Sequence, residues 1–233
     1  MTQTFRVFLA KSYEFCQALY SGIGDIPFTE DNEYRVLSVL VMLDISSEYG
    51  QAIHRLAENE LFISATSLLR LQYEVTIRAF WLYYCSKEKI INKLQQPLTE
   101  QNVKQFENIT PTITVMLEDI EKGVQNQAIP NKAYVLLKSF KDLHFKHSCS
   151  YVHSGLHAFN RKKEGFPEPL MIQLLQNSNG LEALNAMLLA TMSQSMQTMS
   201  SVLSMQYLYL DCLPMQIPEI MHKFYFNNVG DFK

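Results

Sequence analysis

Residues 61–84 contain neither glycine nor proline and are dense in leucine, aromatic and β-branched side chains. The run is too long for one ordinary strand, so it must be helical. On a helical wheel Leu68, Leu69, Tyr73, Val75, Ile77, Phe80, Trp81, Leu82 and Tyr83 point in almost every direction. A helix that is apolar nearly all round needs other elements on every side, so the chain has to build a bundle around it. Three charges interrupt the apolar surface. Arg70, Glu74 and Arg78 follow one another at intervals of four and share one face.

The rest of the chain supplies helices to surround this one. Residues 4–20 read as a first helix, ended by Gly22, Gly24 and Pro27. Residues 29–33 offer a capping threonine and acidic first-turn residues for a second helix reaching about residue 58. After the central helix, residues 87–95 form a continuation or a short separate helix. A further short amphipathic piece begins near Thr99, and another helix follows Pro111. The pattern Ala133, Leu136, Leu137, Phe140, Leu143, Tyr151 predicts one helix from Asn131 to about Ser154. Arg161, Lys162 and Lys163 then read as a basic loop. Residues 168–176 give a short helix, and Asn177, Ser178, Asn179 and Gly180 a break. The last long helix is expected over residues 181–210, ending before Pro214 and Pro218, with a short helix and polar tail beyond. With eight glycines and eight prolines, the chain lacks the turn residues of an all-β protein. The expected fold is an all-α helical bundle with short decorating helices, one domain over residues 1–233. Helix 4–21 and tail 214–233 are expected to be peripheral.

Charge and cysteine usage narrow the function classes. A net charge of −3, from 20 basic and 23 acidic residues, gives no general nucleic-acid footprint and leaves room only for a local basic pocket. Cys16, Cys85, Cys149 and Cys212 are widely spaced, and the first residues lack the apolar core of a secretory signal. Reduced thiols in a cytoplasmic protein are expected. Residues 183–210 carry no charge, but their many Ser, Thr, Gln and Asn side chains would be costly in a bilayer, so no membrane span is expected.

Two constellations can carry chemistry. The Arg70, Glu74, Arg78 stripe lies on an otherwise buried helix, where charges persist mainly when paired or when they line a cleft. Arginine would suit a phosphate or carboxylate ligand. The second is the run from His144 to His157, which holds four of the six histidines. His144 and His147, and separately His153 and His157, have same-face spacing. No H-E-x-x-H or cysteine pair accompanies them, so no metal and no organic cofactor is expected. Extending the apolar stripe of residues 136–143 places His147, Tyr151 and Ser154 toward the core, with His153 and His157 on the flank. His153 is the candidate general acid or base, and His147, Ser150, Tyr151 and His157 are candidate ligand-binding residues.

The pattern S-L-L-R-L-Q-Y-E-V-T-I-R-A-F-W-L, followed by H-S-C-S-Y-V-H-S-G, resembles a group of uncharacterised bacterial all-helical proteins. Their architecture is similar to that of the HEPN superfamily, helical bundles that include metal-independent ribonucleases, toxins and non-catalytic subunits. The resemblance spans roughly residues 48–160 and implicates Arg70, Glu74, Arg78, Ser150 and His153. It implies RNA or another phosphate-containing ligand, with Arg70 and Arg78 holding phosphate, Glu74 orienting an arginine and His153 moving a proton. Catalytic HEPN proteins place an arginine four to six residues before a histidine on one helix. Here Lys141 and Lys146 occupy comparable places, without the guanidinium fork. Two other readings stand beside this one: a non-catalytic interaction protein, as a homo-oligomer or with a partner protein, and a small-anion-binding bundle.

Overall fold

The computed structural model describes residues 1–101 and 109–215. Ten α-helices account for most of these residues, and no strand occurs among them. The expected all-α fold is the observed one. In chain order the helices are α1 (Gln3–Ser21), α2 (Glu33–Glu58), α3 (Phe62–Tyr84), α4 (Glu88–Leu94), α5 (Ile113–Gln125), α6 (Asn131–Phe140), α7 (Lys146–Val152), α8 (Leu156–Glu164), α9 (Glu168–Met192) and α10 (Met196–Leu208). The short pieces expected after Thr99 and beyond Pro218 fall at least partly outside the described residues.

The central helix is α3. It packs along α2 and is flanked by α5, α7 and α9. Tyr73 and Ile77 are fully buried, and Leu69, Phe80, Trp81 and Leu82 nearly so. Its polar atoms on this face are matched: Tyr73 Oη donates to the Leu137 carbonyl (2.7 Å) while its ring stacks on Phe140, and Trp81 Nε1 donates to Asp119 (3.0 Å). The chain turns between α2 and α3 through Glu60, at φ 61°. Arg35 of α2 gathers the far end of α3, donating to the Leu82 carbonyl, to Ser86 Oγ (2.8 Å) and to Ser86 O (2.9 Å) while pairing with Glu88. A cation at the carbonyl end of a helix satisfies both its orphan acceptors and its dipole. By length and composition α2 could cross a bilayer. Here it buries Val36, Val39, Leu43 and Ile53 in the bundle.

Helix α1 packs on the bundle through one face, burying Phe5, Leu9, Phe15 and Leu19. Elsewhere sequence expectations need correction. Residues 177–180 do not break the chain but lie inside the 25-residue α9. Their polar side chains find partners in the interior: Ser178 Oγ donates to Gln72 Oε1 (2.8 Å), and Asn179 Nδ2 donates to Ser12 Oγ (2.6 Å) and the Cys212 carbonyl (2.9 Å). These bonds override the local preference for a turn. The break comes later, at Gln194 (φ 54°), and Ser195 caps α10, accepting from the Thr198 amide (3.2 Å). Helix α10 folds back along α9, so that Gln206 reaches the Ala183 carbonyl (3.3 Å). Finally, Arg161, Lys162 and Lys163 belong to α8, not to a loop.

The helix expected over residues 131–154 is also interrupted. A π turn, Lys141–Phe145, separates α6 from α7. Its wider winding shifts the phase of everything after it, and Leu143, expected in the core, is 50% exposed. All four cysteines are free thiols, with Cys212 buried and the others half-buried.

Candidate functional site

The π turn decides what the histidines face. It brings His144 from the turn, His147 and Tyr151 from α7, and His157 and Arg161 from α8 around one cleft of about 650 Å³, closed by Phe166 and by Leu174 and Gln173 of α9. The His147 and His157 rings meet edge to face, 5.1 Å between centroids. Burial, and then the neighbouring His147, lower the pKa of His144 and favour its neutral form. Burial raises the Tyr151 pKa while Arg161 opposes it. Arg161 is tethered to Glu164 (2.8 Å) and is the guanidinium on this wall.

Ser150 and His153 belong to the frame of this cleft and not to its lining. Ser150 Oγ accepts the His157 amide (3.1 Å), and the Ser150 carbonyl accepts the Gly155 amide (2.6 Å). A Cβ at Gly155 would stand 2.6 Å from Ser150 Oγ, so this close turn calls for glycine. The S-Y-V-H-S-G segment is therefore a corner that starts α8 and aims His157. His153 caps the end of α7 and is exposed.

The charged stripe of α3 does not line the cleft either. Arg70 pairs with Glu74 (Nε to Oε1, 2.9 Å), donates to Cys149 Sγ (2.8 Å) and lies 4.7 Å over the Phe145 ring. These contacts occupy its guanidinium from three directions and pin α7 to α3. Arg78 is half-buried, with no ion pair or hydrogen bond among the described residues. Of the eight residues singled out from sequence, His147, Tyr151 and His157 share the cleft. Arg70 and Glu74 form a separate pair, and Ser150 and His153 support the corner.

The sequence reading missed a second polar centre. Glu182 of α9 is 3% exposed; its Oε2 accepts from the Tyr20 hydroxyl and its Oε1 from Gln72 Nε2 (2.8 Å). Burial pushes its pKa up to about 7, against those two donors. Gly50 faces it so closely that a Cβ there would stand 2.4 Å from Oε1. One turn along α2, His54 Nδ1 lies 2.8 Å from the Gly50 carbonyl, which makes Nδ1 the protonated nitrogen. Burial lowers the pKa of His54, against its contacts with Gly50 and Asn179, and favours the neutral ring. Glu182, His54, Tyr13 and Tyr20 border a cavity of about 390 Å³. One signal was available: Glu182 is the single charged residue between Glu168 and Asp211.

Fold and site together define an all-α bundle with a histidine-lined cleft against its central helix. The cleft, the charged stripe and the buried glutamate all fall within residues 43–215, which match the model of a family of unknown function, DUF6988. The chain belongs to that family. No curated protein and no solved structure matches it.

Proposed function

We propose that this protein binds a phosphate-bearing ligand, with single-stranded RNA as the substrate class, in the histidine-lined cleft, and cleaves it without a metal in the manner of a HEPN-like ribonuclease. The observation that carries the reading is the convergence of His147, His157, Arg161 and Tyr151 on one open cleft. Imidazole changes charge near neutral pH and is the usual proton carrier in such chemistry. One histidine takes the proton of a ribose 2′-hydroxyl as its oxygen attacks phosphorus. The other gives a proton to the departing 5′-oxygen, leaving a cyclic phosphate. Arg161 neutralises the phosphate, and Tyr151 and Phe166 offer ring faces for a base. His153, the sequence candidate for proton transfer, lies outside this arrangement.

The test is binding and cleavage of a labelled single-stranded RNA at low salt, with and without a chelator. His147→Ala and His157→Ala should each reduce cleavage about 100-fold or more. Arg161→Ala should weaken binding, whereas His153→Ala and chelator should change little. Failure of the wild-type protein to bind or cut RNA would discard the proposal. That outcome would favour a non-catalytic interaction protein, a reading supported by the internal pairing of Arg70 with Glu74.

A further inference from the structure

The second cavity has a different chemistry from the first. It lies among α1, α2 and α9, and its walls include Tyr13, Tyr20, Ser47, His54, Arg55 and Glu182. We propose that it is a binding site for a small organic amine or guanidine, held through its N–H groups by the Glu182 carboxylate against the rings of Tyr13 and Tyr20.

The argument begins with donors and acceptors. A carboxylate offers about four lone-pair sites, and Tyr20 and Gln72 fill one on each oxygen. Those two donors are thereby committed, which leaves the buried end of the cavity rich in acceptors. His54 adds no donor to offset this, since its protonated nitrogen is turned to Gly50. A ligand that completes this set has to donate.

Charge points the same way. An anion would oppose ionisation of Glu182, and an apolar ligand would leave its remaining acceptor sites unmet. A cation supplies the missing partner, and aromatic faces attract it further. The positive group on the wall, Arg55, is exposed and sits at the solvent end. The volume of about 390 Å³ suits a molecule of modest size.

Burial keeps Glu182 protonated up to about pH 7, so a cation must displace that proton. The groups facing it are Tyr13, Cys16 and Tyr20 from α1 and His54 and Arg55 from α2, with the neutral Gln72 from α3. Burial holds the Tyr20 hydroxyl protonated and lowers the pKa of His54. Affinity should therefore follow Glu182. The competent fraction rises about tenfold across that interval.

The experiment is isothermal titration of the full chain with agmatine and putrescine at pH 6 and pH 8, with acetate as the anion control. Saturable one-to-one binding of either amine is expected, about tenfold tighter at pH 8. Glu182→Gln should weaken it at least tenfold and remove the pH dependence. Ser47→Phe blocks the cavity without altering the acid and should abolish binding at an unchanged melting temperature; it decides the question if Glu182→Gln does not fold. His147→Ala should leave binding intact, which separates this site from the histidine cleft. No saturation by either amine at pH 8, equal binding of acetate, or binding indifferent to both cavity variants would overturn the proposal.

Discussion

Glu182 shows how strongly one side chain can be governed by what surrounds it. In the unfolded chain it releases its proton near 4.5, while in the folded protein burial moves that release to about 7. Between these values the native state holds the extra proton, so the contribution of Glu182 to stability falls as pH rises, by about 3 kcal/mol in all. His54 acts oppositely. Its folded pKa is lowered, so the unfolded chain gains a proton first as pH drops below about 6.5, and stability is lost on that side. Glu182→Gln isolates the first effect. Relative to the parent, its unfolding free energy should improve by about 3 kcal/mol between pH 4.5 and pH 8, measured by urea denaturation at each pH. A parent-to-variant difference that stays flat across this interval would show that the carboxyl ionises as it does in water. Arg70 makes the same point for a cation. Its spacing from Glu74 was legible in the sequence, but its seat over Phe145 and against Cys149 required α7 to be in place.

Among the elements, the most consequential are the π turn and the corner that follows it. Without the turn, α6 and α7 would form one helix, and the face carrying Leu136 and Phe140 would continue through Leu143. The extra residue per turn instead exposes Leu143 and lets His144, His147 and Tyr151 border the cleft. The corner then reverses the chain so that α8 brings His157 back to His147. Ser150 and Gly155 hold it together through one hydroxyl. Ser150→Ala removes that hydroxyl, and Gly155→Ala pushes it aside. Each should cost about 1 kcal/mol, and the double variant little more than the larger single effect, because both act on the same bond. Additive losses in urea unfolding would refute this account of the corner.

At the scale of the whole molecule, α1 does more than its place before the matched family segment implies. Phe5 and Leu9 enter the main core, whereas Phe15 and Leu19 join Ala183, Ala186, Ala190, Val202, Cys212 and Leu213 in a second cluster. Ser12 and Tyr20 also satisfy Asn179 and Glu182, two polar residues buried in the middle of α9. A chain begun at residue 33 would expose that cluster and leave the buried polar groups unpaired, a combination of apolar loss and desolvation that a bundle of this size cannot absorb. It should lose its cooperative urea transition while keeping much of its helical circular dichroism. A truncated chain that unfolds cooperatively at the parent's midpoint would show that α1 is dispensable.

The sequence by itself determined the helical class, the central place of α3 and most of the helix boundaries, because hydrophobic periodicity and capping act over a few residues. It also exposed the charged stripe and the histidine run, since both consist of close neighbours in the chain. The continuity of α9, the π turn and the partition of the eight candidate residues were decided by tertiary structure. Asn177, Ser178, Asn179 and Gly180 look like a turn to any local rule. They become helix because Ser12, Gln72 and Cys212, all distant in the chain, supply the hydrogen bonds that a turn would otherwise provide. Glu182 was visible only as an isolated charge, and its meeting with Tyr20, Gln72 and Gly50 required four helices to assemble. Short-range patterns specify elements, but burial and long-range hydrogen bonding decide which side chains come to share a cavity.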